Sequence, residues 1–188
     1  MAGKQNPVPS ARRAVDTARR SAGAARRAAV LGLLGALALA LSFLESLLPP
    51  IPVLPPGAKL GLSNLVTMFA AGSLGLPSAL FLAALKGGFA FLTRGVAAAA
   101  MSLCGGLLST AVMWLLLRKT NASLSVVGVC GALSHNLAQL LAAYFLTASA
   151  VLFYLPFLLI FGVLTGFLTG LVLKLTLPPL ERLLRYLT

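Results

Sequence analysis

Glu45, Lys59, Asn64, Lys86, His135, Asn136 and Gln139 interrupt apolar runs that are otherwise suited to a lipid bilayer. An ionised side chain at mid-bilayer costs roughly 2.5 to 3.5 kcal/mol on insertion scales, so residues of this kind usually line a cavity. Lys59, Lys86 and, at the end of its run, Arg94 could neutralise an anion, while Asn64, His135, Asn136 and Gln139 could supply orienting hydrogen bonds. The chemistry on offer is therefore recognition of a small anionic molecule.

Each of these residues also has a structural reading. Lys86 stands about nine residues into its run, near mid-depth, where it either meets a ligand or is neutralised by Glu45. Glu45 is the one acid among the apolar runs, and a structural ion pair with Lys59, Lys86 or Arg94 is favoured over proton relay. Lys59 and Asn64 follow Pro55-Pro56-Gly57, where a helix amino terminus would present free N–H groups to an anion; the same prolines could simply turn the chain. Asn136 and Gln139, three residues apart, share a helix face, as ligand contacts or as interhelical hydrogen bonds.

Catalytic sets are missing. Asp16, Glu45 and Glu181 are the only acids in 188 residues, which excludes aspartate-rich magnesium sites and paired-carboxylate chemistry. A Ser/His/Asp set fails because Asp16 lies in the basic amino-terminal segment. His135 has no cysteine or carboxylate cluster around it, so no metal or other cofactor is expected. Cys104 and Cys130 lie in apolar runs and read as small buried hydrophobes.

The elements that must position these residues follow from composition. A chain that is 59% hydrophobic and 10% charged, with mean hydropathy +0.98, cannot hide its apolar surface in one water-soluble core. Apolar runs separated by breakers predict spans near Ala28 to Leu48, Leu60 to Leu74, Pro77 to Leu92, Val96 to Leu117, Leu124 to Thr147 and Ala150 to Leu175. The second and third are short for a full crossing, which leaves five or six crossings open. The fold class is thus all-α, an integral membrane bundle of about six transmembrane helices over residues 28–176.

Of the net charge of +12, seven basic residues (Lys4, Arg12, Arg13, Arg19, Arg20, Arg26 and Arg27) precede the first span. With six crossings this tail, Arg118-Lys119 and the Lys174, Arg182 and Arg185 end fall on one side, which the positive-inside rule makes cytoplasmic. Residues 1–27 are expected to be an unstructured basic tail attracted to anionic lipid, and 177–188, after Pro178-Pro179, a short amphipathic inner-surface helix. Nucleic acid is not an expected partner. Gly32, Ala36 and Ala40, four apart, would let another helix come close.

Three strings, Leu44-Glu45-Ser46, Pro56-Gly57-Ala58-Lys59-Leu60-Gly61-Leu62-Ser63-Asn64 and Gly131-Ala132-Leu133-Ser134-His135-Asn136-Leu137-Ala138-Gln139, resemble the Gx transporter family of bacterial membrane proteins, also called heptaprenyl diphosphate synthase component I. The resemblance runs from about Val30 to Leu175. Members look like the substrate-binding S components of energy-coupling factor transporters, and the resemblance implies a six-helix bundle with an outward-facing pocket. It also implies that Ala36 and Ala40 contact a transmembrane coupling subunit, that the loop from Leu48 to Ala58 caps the ligand, and that partner ATPases supply the energy. The alternative is a non-catalytic membrane subunit that serves heptaprenyl diphosphate synthase and quinone side-chain synthesis.

Overall fold

The computed structural model describes residues 9–47, 61–146 and 149–187, and among these all but the short turns between elements are helical. Six α-helices follow one another: α1 (Pro9–Leu47), α2 (Ser63–Ser73), α3 (Leu76–Arg94), α4 (Val96–Lys119), α5 (Leu124–Leu146) and α6 (Leu155–Leu187), with a 3-10 turn at Ser149–Tyr154 before the last. Glycines set several of the breaks. Gly75 (φ 89°) separates α2 from α3, with Pro77 in the first turn of α3, where its missing N–H costs nothing. Gly95 (φ 86°) closes α3 and opens α4, so one residue reverses the chain. α4 ends on Arg118 and Lys119, cations that suit the negative end of the helix dipole.

α1, α3, α4, α5 and α6 each contain a stretch long and apolar enough to cross a membrane. Only 22% to 33% of each such stretch is buried within the protein, and Leu33, Phe43, Phe81, Leu92, Phe145, Leu164 and Phe167 are exposed. An apolar outer surface on this scale needs lipid around it. The architecture is an all-α, multi-pass membrane bundle.

The expected second span is shorter than a crossing. α2 has 11 residues, about 16 Å of helix against a hydrocarbon core of roughly 30 Å. Breakers at both ends set this length: Gly61 (φ 82°) two residues before it and Gly75 just after it. α2 nevertheless sits at the centre of the bundle, touching α1, α3, α4 and α6. Its Val66, Thr67, Met68, Phe69, Ala70 and Ala71 are buried, joining Leu34 and Ala38 of α1, Leu82 of α3, Met113 of α4 and Leu173 of α6 in one core.

Lipid offers no hydrophobic drive between helices, so close packing of small residues has to hold the bundle. α5 and α6 approach through Gly128, Gly166 and Gly170, where an added Cβ at any of the three would strike backbone of the other helix. Gly131 of α5 makes room for Met113 of α4, Gly106 of α4 lies over Ala83 of α3, and Gly35 of α1 lies over Leu85. Gly32, Ala36 and Ala40 instead lie on the exposed face of α1. Cys130 is half-buried, but Cys104, read from sequence as buried, is exposed on α4, because the helix turns that position outward from its Gly105-Gly106 packing face.

Both expected tails differ from the sequence reading. The basic segment is helical from Pro9 and continuous with α1, as its alanines and arginines, both strong helix formers, favour. The carboxy-terminal segment is helical as expected, yet it continues α6 through Pro178 and Pro179 to Leu187 instead of forming a separate element.

Candidate functional site

The amino terminus of α2 opens inside the bundle. Its other end, at Gly72, comes close to Leu117 in the last turn of α4, so α2 fills the half of the bundle on the Arg118-Lys119 side. Asn64 then lies level with Lys86, the eleventh of the 19 residues of α3 and about 15 Å along it. A short helix with its positive end at mid-depth is a recurrent device for meeting anionic groups within a membrane.

No side chain of its own segment caps α2. The carboxylate of Glu45, arriving from α1, does so: Oε1 accepts the Leu62 N–H and Oε2 accepts the Ser63 hydroxyl at 3.5 Å. Lys86 Nζ donates to Asn64 Oδ1 at 2.8 Å, and the Thr67 hydroxyl donates to Asn64 O at 3.0 Å. Glu45, Asn64 and Lys86 are 6%, 8% and 5% exposed, so this polar cluster is built into the protein interior. Buried polar groups persist only when satisfied, and here three helices satisfy one another.

Around this cluster lies a narrow, partly open polar cleft, lined by Ser42, Glu45, Gly61, Ser63, Asn64, Lys86, Arg94, Ser102, His135 and Gln139. Five of the seven residues expected to bind ligand therefore meet there: Asn64, Lys86, Arg94, His135 and Gln139. Arg94, in the last turn of α3 and two turns beyond Lys86, is exposed and feels the charge of Glu45. His135 packs on Gly105 of α4, where an added Cβ would stand 2.9 Å from the imidazole. Gly105 is thus the seat of the ring.

Asn136 is placed elsewhere. Its Nδ2 donates to Leu158 O of α6 at 2.9 Å, and Gly162 leaves room for it, which makes it an interhelical tie. The roughly 100° between neighbouring helical positions turns His135 to the cleft and Asn136 to α6. Lys59 and the proline-rich loop from Leu48 to Ala58 lie outside the described residues. Sequence reasoning missed Ser42, Gly61, Ser63 and Ser102. Ser42 had a signal, since it precedes Glu45 by three residues on the same helical face; Ser102 had none.

Glu45→Leu is expected to destabilise the bundle by about 3 kcal/mol, because it takes the acceptor from the part-buried Leu62 N–H and removes a buried countercharge. Glu45→Gln, which keeps an acceptor oxygen, should recover most of that loss. Thermal unfolding of the purified protein in detergent measures both, and equal stability of the two variants would show that the carboxylate is not the cap of α2.

The fold and this site define a class: a polytopic helical membrane protein with a polar cleft that ends on a buried lysine. The chain belongs to the heptaprenyl diphosphate synthase component I family, whose model matches residues 34–176 and so spans every residue lining the cleft. No curated protein and no solved structure matches it.

Proposed function

We propose that the chain is the membrane-embedded substrate-binding component of a transporter of the energy-coupling factor type. It takes a small anionic molecule, vitamin-like or a biosynthetic precursor, from the outer face of the cell membrane. The observation that carries this reading is the cleft itself: Lys86, 5% exposed at mid-depth, beside the positive end of α2 and below Arg94. Lys86 and Arg94 neutralise the ligand's anionic group, while Asn64, His135 and Gln139 orient it by hydrogen bonds.

The chain carries no nucleotide-binding motif, so partner ATPases would energise transport through a transmembrane coupling subunit. Ala36 and Ala40 are exposed on α1 and free of competing bundle contacts at neighbouring Gly32, which suits them to meet that subunit. A cytoplasmic location for both termini is supported by the positive-inside rule, since Arg118, Lys119, Lys174 and the amino-terminal arginines fall at the same end of their helices' path.

The family's description favours a second reading, a membrane subunit that works with heptaprenyl diphosphate synthase. Under it the chain is a non-catalytic partner, because prenyl diphosphate chemistry needs clustered aspartates and this chain has only Asp16. Purification from native membranes in mild detergent, with mass spectrometry of stoichiometric partners and retained small molecules, separates the two. Recovery of a transmembrane coupling subunit with ATPases is expected; recovery of a soluble prenyl synthase subunit in its place would overturn the transporter reading.

A further inference from the structure

α1 continues well past its apolar stretch. The 20 residues from Ala28 to Leu47 give about 30 Å of helix, enough for the hydrocarbon core, and the 19 residues from Pro9 to Arg27 add about 28 Å beyond it. Along this extension the triplet Ala-Arg-Arg occurs three times, at Ala11-Arg12-Arg13, Ala18-Arg19-Arg20 and Ala25-Arg26-Arg27. The period is seven residues, which in a helix returns to the same face within about 20°. The three arginine pairs therefore form one stripe, with successive pairs about 10.5 Å apart along the axis.

Arg13, Arg19, Arg20, Arg26 and Arg27 are exposed. Asp16 falls within the stripe, three or four residues from Arg12, Arg13, Arg19 and Arg20, and offsets one of its six positive charges. Ala14, Thr17, Ser21, Ala24 and Ala28 occupy the remaining faces, so the charge is confined to one side.

Anionic lipid accounts for only part of this stripe. Arg26 and Arg27 adjoin the apolar stretch and reach headgroups, but Arg12 and Arg13 stand about 21 Å further along an unbroken helix. A Debye length of about 8 Å at physiological salt puts that distal pair beyond the field of the leaflet. A disordered basic tail or a flexible polyanion would not call for a seven-residue period, because nucleic-acid phosphates repeat at about 3.4 Å per strand. Heptad spacing matches a second helix laid alongside.

We propose that the Arg12–Arg27 stripe is a docking strip for an acidic helix of a cytoplasmic protein partner, one that carries carboxylates at seven-residue spacing. Arginine forks meet carboxylates in pairs, and three such sites in register fix the partner's orientation beside α1. The strip is separate from the cleft, so it stands whichever partner the cleft reading requires; it needs only a cytoplasmic amino terminus.

The test uses the full-length protein in nanodiscs of phosphatidylcholine, alone or mixed with phosphatidylglycerol, at physiological salt. Probes are a labelled helical peptide with glutamate pairs seven residues apart, a peptide of the same composition with scrambled spacing, and a single-stranded RNA oligonucleotide of equal charge. The heptad peptide is expected to bind at least tenfold tighter than the scrambled one in both lipids. The charge-conserving variant Arg13→Ala, Ala14→Arg, Arg20→Ala, Ser21→Arg breaks the stripe and should erase that preference. Equal binding of the two peptides, or an unchanged preference in the variant, would overturn the proposal. So would tighter binding of the RNA, or loss of peptide binding when phosphatidylglycerol is present, which would assign the stripe to nucleic acid or to lipid.

Discussion

Gly166→Ala is expected to lower the stability of the bundle by about 3 kcal/mol, and Gly166→Leu to prevent its assembly. An added Cβ at Gly166 would lie 2.6 Å from both the carbonyl oxygen of Gly128 and the Cα of Val129. Those are backbone atoms of α5, which cannot rotate aside, so α5 and α6 would have to separate along the contact. At Gly87 the obstruction is the side chain of Leu103, which can change rotamer, and Gly87→Ala should cost less. Gly32→Ala, with open space around the new methyl, serves as the neutral control. Unfolding in a denaturing detergent titration measures the series. A Gly166→Ala protein as stable as Gly32→Ala would mean that α5 and α6 do not pack at this distance.

The second large effect is expected on binding. Lys86→Met should reduce the retention or affinity of the native small molecule by about 100-fold, since a charge-assisted hydrogen bond is worth about 1.5 to 3 kcal/mol. Stability should fall as well. Methionine fills much of the same volume but leaves Asn64 Oδ1, a buried acceptor, without the Lys86 donor, so the bundle should lose about 1 to 3 kcal/mol. Measuring both by ligand quantification after purification and by thermal unfolding separates the roles of Lys86. Unchanged affinity together with a marked fall in stability would make the Lys86–Asn64 contact structural and remove the anion site.

Much of this architecture is legible in the sequence because membrane spans obey length and hydropathy. α3, α4 and α5 begin within a residue of expectation and α6 five residues later than expected; Gly75, Pro77 and Gly95 are breakers whose effect does not depend on the rest of the fold. α2 is the instructive case: read as short for a full crossing, it is shorter still. The apolar run from Leu60 to Leu74 gives no sign that the helix starts only at Ser63, because a short helix buried among others is as apolar as a lipid-facing one. Its start is set by a left-handed glycine, Gly61, and by a carboxylate 17 residues upstream in sequence, neither of which periodicity registers.

The site is legible to a similar degree. Asn64, Lys86, His135 and Gln139, polar residues in apolar runs that would each be costly against lipid, come together around one cleft. The same argument could not separate Asn136 from Gln139, since a carbonyl of α6 satisfies a buried amide as well as a ligand does. Glu45 was expected to pair with a cation, and its cap on α2 was invisible because backbone donors carry no sequence signature. Likewise the helical state of residues 9–27 overrode an expectation drawn from charge alone, when alanine content argued for helix.

The half-length of α2 has one more consequence. With Met68, Ala70 and Ala71 wholly enclosed, the helix acts as a cork beneath the Asn64–Lys86 level, and the bundle is a cup with a floor, not a tube. Under the transporter reading, cargo resting on that floor would have no thread-like route downward, and passage to the other side would require that the cup itself be tipped or its floor withdrawn. On that reading the chain alone would be a vessel, emptied only by the work of a neighbour.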